Sequence, residues 1–229
     1  MDAIQMYIEK MKEIQDLLLD FLDNEQESEE NYAKIIRIID HQQLQNDIYK
    51  LKAILYLILE IANNHHRKPD FYSKIEKIMI IFKNDIEHSF SNLQIFNFYR
   101  KNKIILLILL KQNVLKIDDS ITKLMKINEY TEYFLPEINK ETPASIFDSK
   151  RKIGENDNYI CEIIGKDDID NFVIFHHKKN LHLTQKIPYS IFETNPILLK
   201  KVPTLIEYSA FFGSKLYIQL FDLKRCRID

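Results

Sequence analysis

With 229 residues, 45% of them apolar, the chain is long enough for one large or two small domains and can bury a proper core, as expected of a soluble globular protein. A net charge of -2 and a pI near 6.4 supply no overall attraction toward nucleic acid or an anionic membrane, so neither is expected as a partner. The two cysteines, Cys161 and Cys226, cannot make a disulfide framework and read as reduced thiols of a cytoplasmic protein, with the nucleus as the other compartment.

Apolar residues at Ile4, Ile8, Met11, Ile14, Leu18 and Phe21 recur in steps of three and four and predict a first helix ending near Asn24. Acidic residues along it, from Asp2 and Glu9 to Asp20, do not fit the apolar core of a signal peptide. The acidic run 24–30 reads as a loop, with Glu29 and Glu30 favouring the start of a second helix over 32–39. A third helix is expected over 44–63, with Ile48, Leu51, Leu55, Ile58 and Leu59 inward, closed by His65-His66-Arg67-Lys68-Pro69. Further helices are expected over 72–82, 86–99 and 103–112. The most apolar runs, 53–62 and 104–110, fall far short of the roughly 20 residues needed to cross a bilayer.

From Glu132 onward Pro136 and Pro143 appear and the periodicity lapses, so 135–155 reads as a linker or loop between a helical region, 1–134, and a second one, 156–229. Within the second region 181–203 is bracketed by prolines and reads as an irregular insertion. No alternating strand pattern appears, and the fold class is all-α.

Glycine is scarce: Gly154, Gly165 and Gly213 are the whole complement. Gly165 and Gly213 each follow a helical stretch, where a left-handed residue could end it without a Cβ penalty. Apolar residues then fall four, seven and eight positions on, at Ile169, Phe172 and Val173 and at Tyr217, Leu220 and Phe221. After Asn102 the same offsets reach Leu106, Leu109 and Leu110.

The segment Thr204-Leu205-Ile206-Glu207-Tyr208-Ser209-Ala210-Phe211-Phe212-Gly213 resembles the T-P-L-H-x-A-A-x-x-G opening of an ankyrin repeat, a unit of about 33 residues built from two antiparallel helices. Leu205 stands in place of the proline and Glu207 in place of the histidine, and the irregular spacing of the three segments requires insertions. Over the wider chain the arrangement is similar to protist ankyrin-repeat proteins that carry a helical N-terminal region. The resemblance implies degenerate ankyrin-like helix pairs stacked in an α-solenoid, Ser209 and Ala210 allowing close helix approach, and a non-catalytic scaffold or adaptor that binds a protein partner. Glu207, Tyr208, Phe211 and Phe212 are the expected partner-binding residues. Tyr217 and Leu220 are expected to be exposed, to be covered by a partner or by self-association through the last helix pair.

Chemical motifs are sparse. His65 with His66, and His176 with His177 and His182, are adjacent or loosely spaced rather than set three or four apart as zinc ligands are, so no metal or other cofactor is expected. Three glycines leave little for a phosphate cradle. The short basic groups Arg100-Lys101-Lys103, Lys150-Arg151-Lys152 and Lys224-Arg225-Arg227 read as helix ends, the second also as half of a localisation signal. The alternative to the scaffold is a helical enzyme or ligand-binding domain with a site near Cys161, Glu162 and His176, in which the thiol acts as nucleophile.

Overall fold

The computed structural model describes residues 3–24, 29–41, 47–65, 70–140, 144–179, 181–182 and 184–214. Among them are fifteen helices and no strand, so the chain is all-α. Contacts divide it into two compact units, 1–143 and 144–229.

In the first unit α1 (Ala3–Asp23) packs on α2 (Glu29–His41), α3 (Ile48–Asn64) and α4 (Phe71–Ile81). Only the second half of the α1 stripe is used. Ile14, Leu18 and Phe21 are buried, whereas Ile4 and Ile8 stay exposed. The start of α2 at Glu29 and Glu30 follows the dipole expectation. Helix α3 begins later than its apolar spacing implies, because Asp47 accepts hydrogen bonds from the amides of Tyr49 and Lys50 and so defines the cap; Ile48 is left outside the core. The expected start at Leu44 lies outside the described residues.

The stretch 86–99, expected as one helix, is two: α5 (Lys83–Ser89) and α6 (Asn92–Tyr99). Ser91 and Gln94 form a reciprocal capping box that opens α6 and interrupts what periodicity alone would join. Next comes α7 (Lys103–Lys111), whose residues from Lys103 to Leu109 are all buried; it packs against α4 and α6. A helix apolar on every side belongs inside the unit rather than on its surface. That overturns the reading of Leu106, Leu109 and Leu110 as one face of a repeat. Asn102 is extended, at φ -126, and its Oδ1 accepts the Ile105 amide at 2.9 Å. Its Nδ2 donates to Asn63 Oδ1 at 2.9 Å, a buried amide pair that joins the end of α3 to the start of α7.

Lys74 is another deep polar group in this unit. Fully enclosed, it donates to the carbonyls of Leu22 and Asn24, pairs with Asp70 at 2.6 Å, and lies over the Phe21 ring. It thereby satisfies carbonyls at the C-terminal end of α1 that the helix cannot bond internally. Helices α8 (Asp119–Met125), α9 (Asn128–Thr131) and α10 (Leu135–Asn139) complete the unit.

Residues 135–155 are therefore not a loop. They hold α10, whose Pro136 sits in the first turn where its missing amide proton costs nothing, and α11 (Ser145–Ile153), which belongs to the second unit. There α12 (Tyr159–Gly165) packs against both α13 (Ile169–Lys179) and α15 (Leu205–Phe211), with the five-residue α14 (Pro196–Lys200) inside the irregular stretch 181–203. Lys186 and Thr204 form the single β-bridge among the described residues.

Replacing Asn102 by Ala removes the cap of the central helix and the partner of Asn63 together. We expect a loss of about 2 kcal/mol in urea unfolding followed by far-UV circular dichroism. A loss under about 0.5 kcal/mol would contradict the structural weight given to this pair.

Candidate functional site

The second unit is organised around two irregular segments that interlock. Gly154 ends α11 at φ 69, a left-handed residue, and its carbonyl accepts from both the amide and the hydroxyl of Thr194, at 3.1 and 2.6 Å. Asn156 Nδ2 donates to the Pro188 carbonyl at 2.7 Å, and Asn158 Nδ2 to the Tyr189 carbonyl at 3.2 Å. Ser190 Oγ donates to Asp157 Oδ1 at 2.7 Å, while Lys150 meets Asp157 Oδ2 at 2.7 Å. Burial would raise the Asp157 carboxyl, but the hydrogen bonds from Lys150 and Ser190 outweigh it and hold the group below the usual range. Glu193 is buried and accepts the amides of Thr194 and Asn195 through one oxygen. The stretch 181–203 is thus irregular, as expected, yet tied into the unit by side-chain bonds.

These bonds hold Pro188 and Tyr189 beside the start of α12, and a cleft of 280 Å³ results between α12, the end of α13 and residues 181–188. Tyr159, Phe175, Leu181 and Pro188 make its apolar lining, the first two in an edge-to-face contact with ring centroids 5.2 Å apart. Lys179, Lys186, Asn158 and Gln185 supply the polar lining. No carboxylate lines the cleft among the described residues. A larger groove of 590 Å³ in the first unit runs along α1 and α2, between Glu9, Glu13, Asp16 and Asp20 on one side and Lys12, Lys34 and Arg37 among its other lining groups. Its charges are of both signs and largely offset one another.

The residues expected to bind a partner fare differently. Tyr208 is buried, 1% exposed, and is a packing residue of the core formed with Ile160, Ile164, Phe172 and Leu205. Phe211 and Phe212 are half-buried against that core; their rings meet edge to face with centroids 5.3 Å apart, and Phe212 lies tilted against Tyr208 at 4.7 Å. Glu207 is exposed but closes a capping box: its carboxylate accepts the Thr204 amide at 2.7 Å, and Thr204 Oγ1 accepts the Glu207 amide. Its pKa is lowered first by that amide and then by the Thr204 hydroxyl. Ser209 is buried against its neighbours as expected, while Ala210 faces outward. Tyr217 and Leu220 lie outside the described residues.

The two glycines also part company. Gly213, at φ 65, is left-handed after α15. Gly165 is the last helical residue of α12, and the left-handed position falls instead at Asp167, φ 52, just before Asp168 caps the amide of Asn171 in α13.

Cys161 is buried in α12, and its thiol is pushed up to about 12, first by burial and then by the charge of Glu193, against a hydrogen bond from Tyr208. His176 lies on α13, its ring 5.7 Å from those of Phe172 and His177. Neither residue lines the cleft. His65 meets Asp23 at 3.3 Å and stacks on Phe71. No group of three metal-ligating side chains occurs among the described residues. The basic run Lys150-Arg151-Lys152 is spent internally: Arg151 is buried with Asp148 at 3.0 Å, and Lys152 also reaches Asp148. Among the described residues no helix is long and apolar enough to cross a membrane.

Compared with models of known protein families, with curated proteins and with solved structures, the chain matches none.

Gly165→Ala places its methyl 3.7 Å from the Phe212 ring, an ordinary contact, and should leave stability unchanged or raise it by about 0.5 kcal/mol. Gly213→Ala meets no atom within 4 Å, yet should cost about 1 kcal/mol because the backbone is left-handed. Thermal melts of the pair check the contrast.

The raised thiol has a sign. Unfolded Cys161 ionises from about pH 9, whereas the folded protein keeps its proton, so this contribution to stability is complete below that pH and is lost as pH climbs toward 12. In a Cys226→Ser background, Cys161 should resist iodoacetamide at pH 8 in the native state and react at once in urea; rapid native labelling would show an open thiol.

Proposed function

We propose that the chain is a non-catalytic protein-recognition module, a scaffold or adaptor, whose second unit carries degenerate ankyrin-like helix pairs. The observation that carries this reading is the cleft beside α12: two aromatic rings, aliphatic side chains and two lysines, with no thiol, imidazole or carboxylate in its wall among the described residues. Such a lining offers shape, apolar area and fixed charge, which recognise a surface, rather than a nucleophile paired with a base.

The ankyrin-like part of the reading is supported locally. Helix α15 opens on a capping box at Thr204, ends before a left-handed Gly213, and packs on α12, which is itself paired with α13 through a three-residue turn. Ser214 Oγ donates to the Ile164 carbonyl at 2.7 Å and so ties the end of α15 to the end of α12. A continued stack would need such a join between successive pairs. The binding surface we infer differs from the one the repeat resemblance implies, because Tyr208 is internal and Glu207 is occupied by its cap.

Gln185→p-benzoylphenylalanine provides the test. Irradiation in cells of the source organism should yield a discrete cross-linked protein by mass spectrometry, and Tyr159→Ala, with unchanged circular dichroism, should abolish the adduct. An adduct pattern indifferent to Tyr159→Ala would overturn the assignment of the cleft as the recognition site.

A further inference from the structure

The cleft has a definite electrostatic character that the chain as a whole lacks. The protein is close to neutral, with 34 acidic and 32 basic residues, yet the described cleft lining holds Lys179 and Lys186 and no carboxylate. Neither lysine has an ion-pair partner within 4 Å among the described residues, whereas Lys34, Lys50, Lys74, Lys150 and Lys152 all do. Lys186 acts on Glu207 through its charge, but the Glu207 carboxylate is held by the Thr204 amide and hydroxyl at the start of α15. Lys178, beside Lys179 in the last turn of α13, adds a further positive charge.

On the Lys186 side the chain forms one antiparallel bridge with Thr204. The Ile187 amide donates to the Pro203 carbonyl and the Leu205 amide to the Gln185 carbonyl, each at 2.9 Å. In an antiparallel pair with that pattern, the residue between the two bonds turns its own N–H and C=O away from the partner strand. Lys186 is that residue, and it is exposed. An extended chain can pair with its outward groups as a further strand.

We propose that this cleft binds an extended acidic peptide segment of a partner protein. One aromatic or aliphatic side chain enters between Tyr159, Phe175 and Leu181, and flanking carboxylates meet Lys179 and Lys186. A space of 280 Å³ suits one or two side chains rather than a folded domain or a helix face, which favours a short linear segment. The inference rests on the reading of this cleft as a protein-recognition site and names the class of its ligand.

The experiment is selection of a displayed random-peptide library on the full-length protein, with Lys179→Glu/Lys186→Glu and Tyr159→Ala variants as counter-targets, each first matched to the parent by circular dichroism. Enrichment of peptides with Asp or Glu around one apolar residue is expected. Synthetic copies of them should lose at least about tenfold in affinity on the double charge variant and weaken with added salt. Enriched peptides that are neutral or basic, but still lost on Tyr159→Ala, would overturn the acidic-ligand inference and leave the recognition reading standing. Failure to enrich any peptide that the variants lose would overturn both. Binding of phosphatidylserine vesicles by the parent, abolished by the charge variant while selected peptides do not compete, would assign the lysines to a membrane surface and overturn the proposal.

Discussion

A chain broken into many short helices has many helix ends, and each end leaves backbone amides or carbonyls that the helix cannot pair. Their satisfaction is the constraint on which this structure depends. Asp47, Ser91, Asn102, Asp118, Asn195 and Thr204 accept first-turn amides at the helix starts. Lysines serve the other ends: Lys74 reaches the carbonyls of Leu22 and Asn24 at the end of α1, and Lys83 donates to the Gln112 carbonyl at 2.9 Å as α7 closes. Short polar side chains and long cationic ones thus do for the ends what the apolar stripes do for the faces.

In the second unit the same chemistry extends to chain that is not helical. Gly154, Asn156, Asp157 and Asn158 bind Pro188, Tyr189, Ser190 and Thr194 through side-chain-to-backbone and side-chain-to-side-chain hydrogen bonds. Several of these groups are buried, so breaking one leaves an unsatisfied polar atom and costs more than the bond itself is worth. The consequence is functional geometry. Because Pro188 and Tyr189 are held by their carbonyls, the interlock fixes the backbone on this side of the cleft. A recognition surface that is already ordered loses less entropy when it binds.

The repeat-like features of the chain separate into those that are local and those that are not. The left-handed Gly213 is legible because its requirement lies in its own backbone. Gly165 looks equivalent in sequence, yet Asp167 takes the left-handed position two residues later; Asp is tolerated there, and α13 needs its start at Asp168. Asn102 shares the apolar offsets of the glycines but serves as a cap, since α7 is apolar all round and any offset lands on a buried residue. Two of the residues expected to bind a partner are engaged within the unit for a related reason. Tyr208 reads as a surface aromatic only until α12 and α15 are packed together, and Glu207 only until its cap with Thr204 is formed.

What the amino-acid sequence determined by itself was the all-α class, most of the helical segments of the first unit, the irregularity of 181–203 and the turn at Gly213. Each follows from interactions within a few residues: helical apolar spacing, proline, a left-handed backbone. The Ser91–Gln94 and Thr204–Glu207 capping boxes are equally local, but helical periodicity passes over them, and 86–99 reads as one helix until the Ser91 cap divides it. The tertiary structure alone decided that α7 is central, that Lys74 and Arg151 are internal, and that Tyr159, Phe175, Lys179 and Lys186 share one cleft. Those outcomes join residues far apart in sequence through buried hydrogen bonds and packing, and no periodicity along the chain encodes which distant partner a side chain will meet.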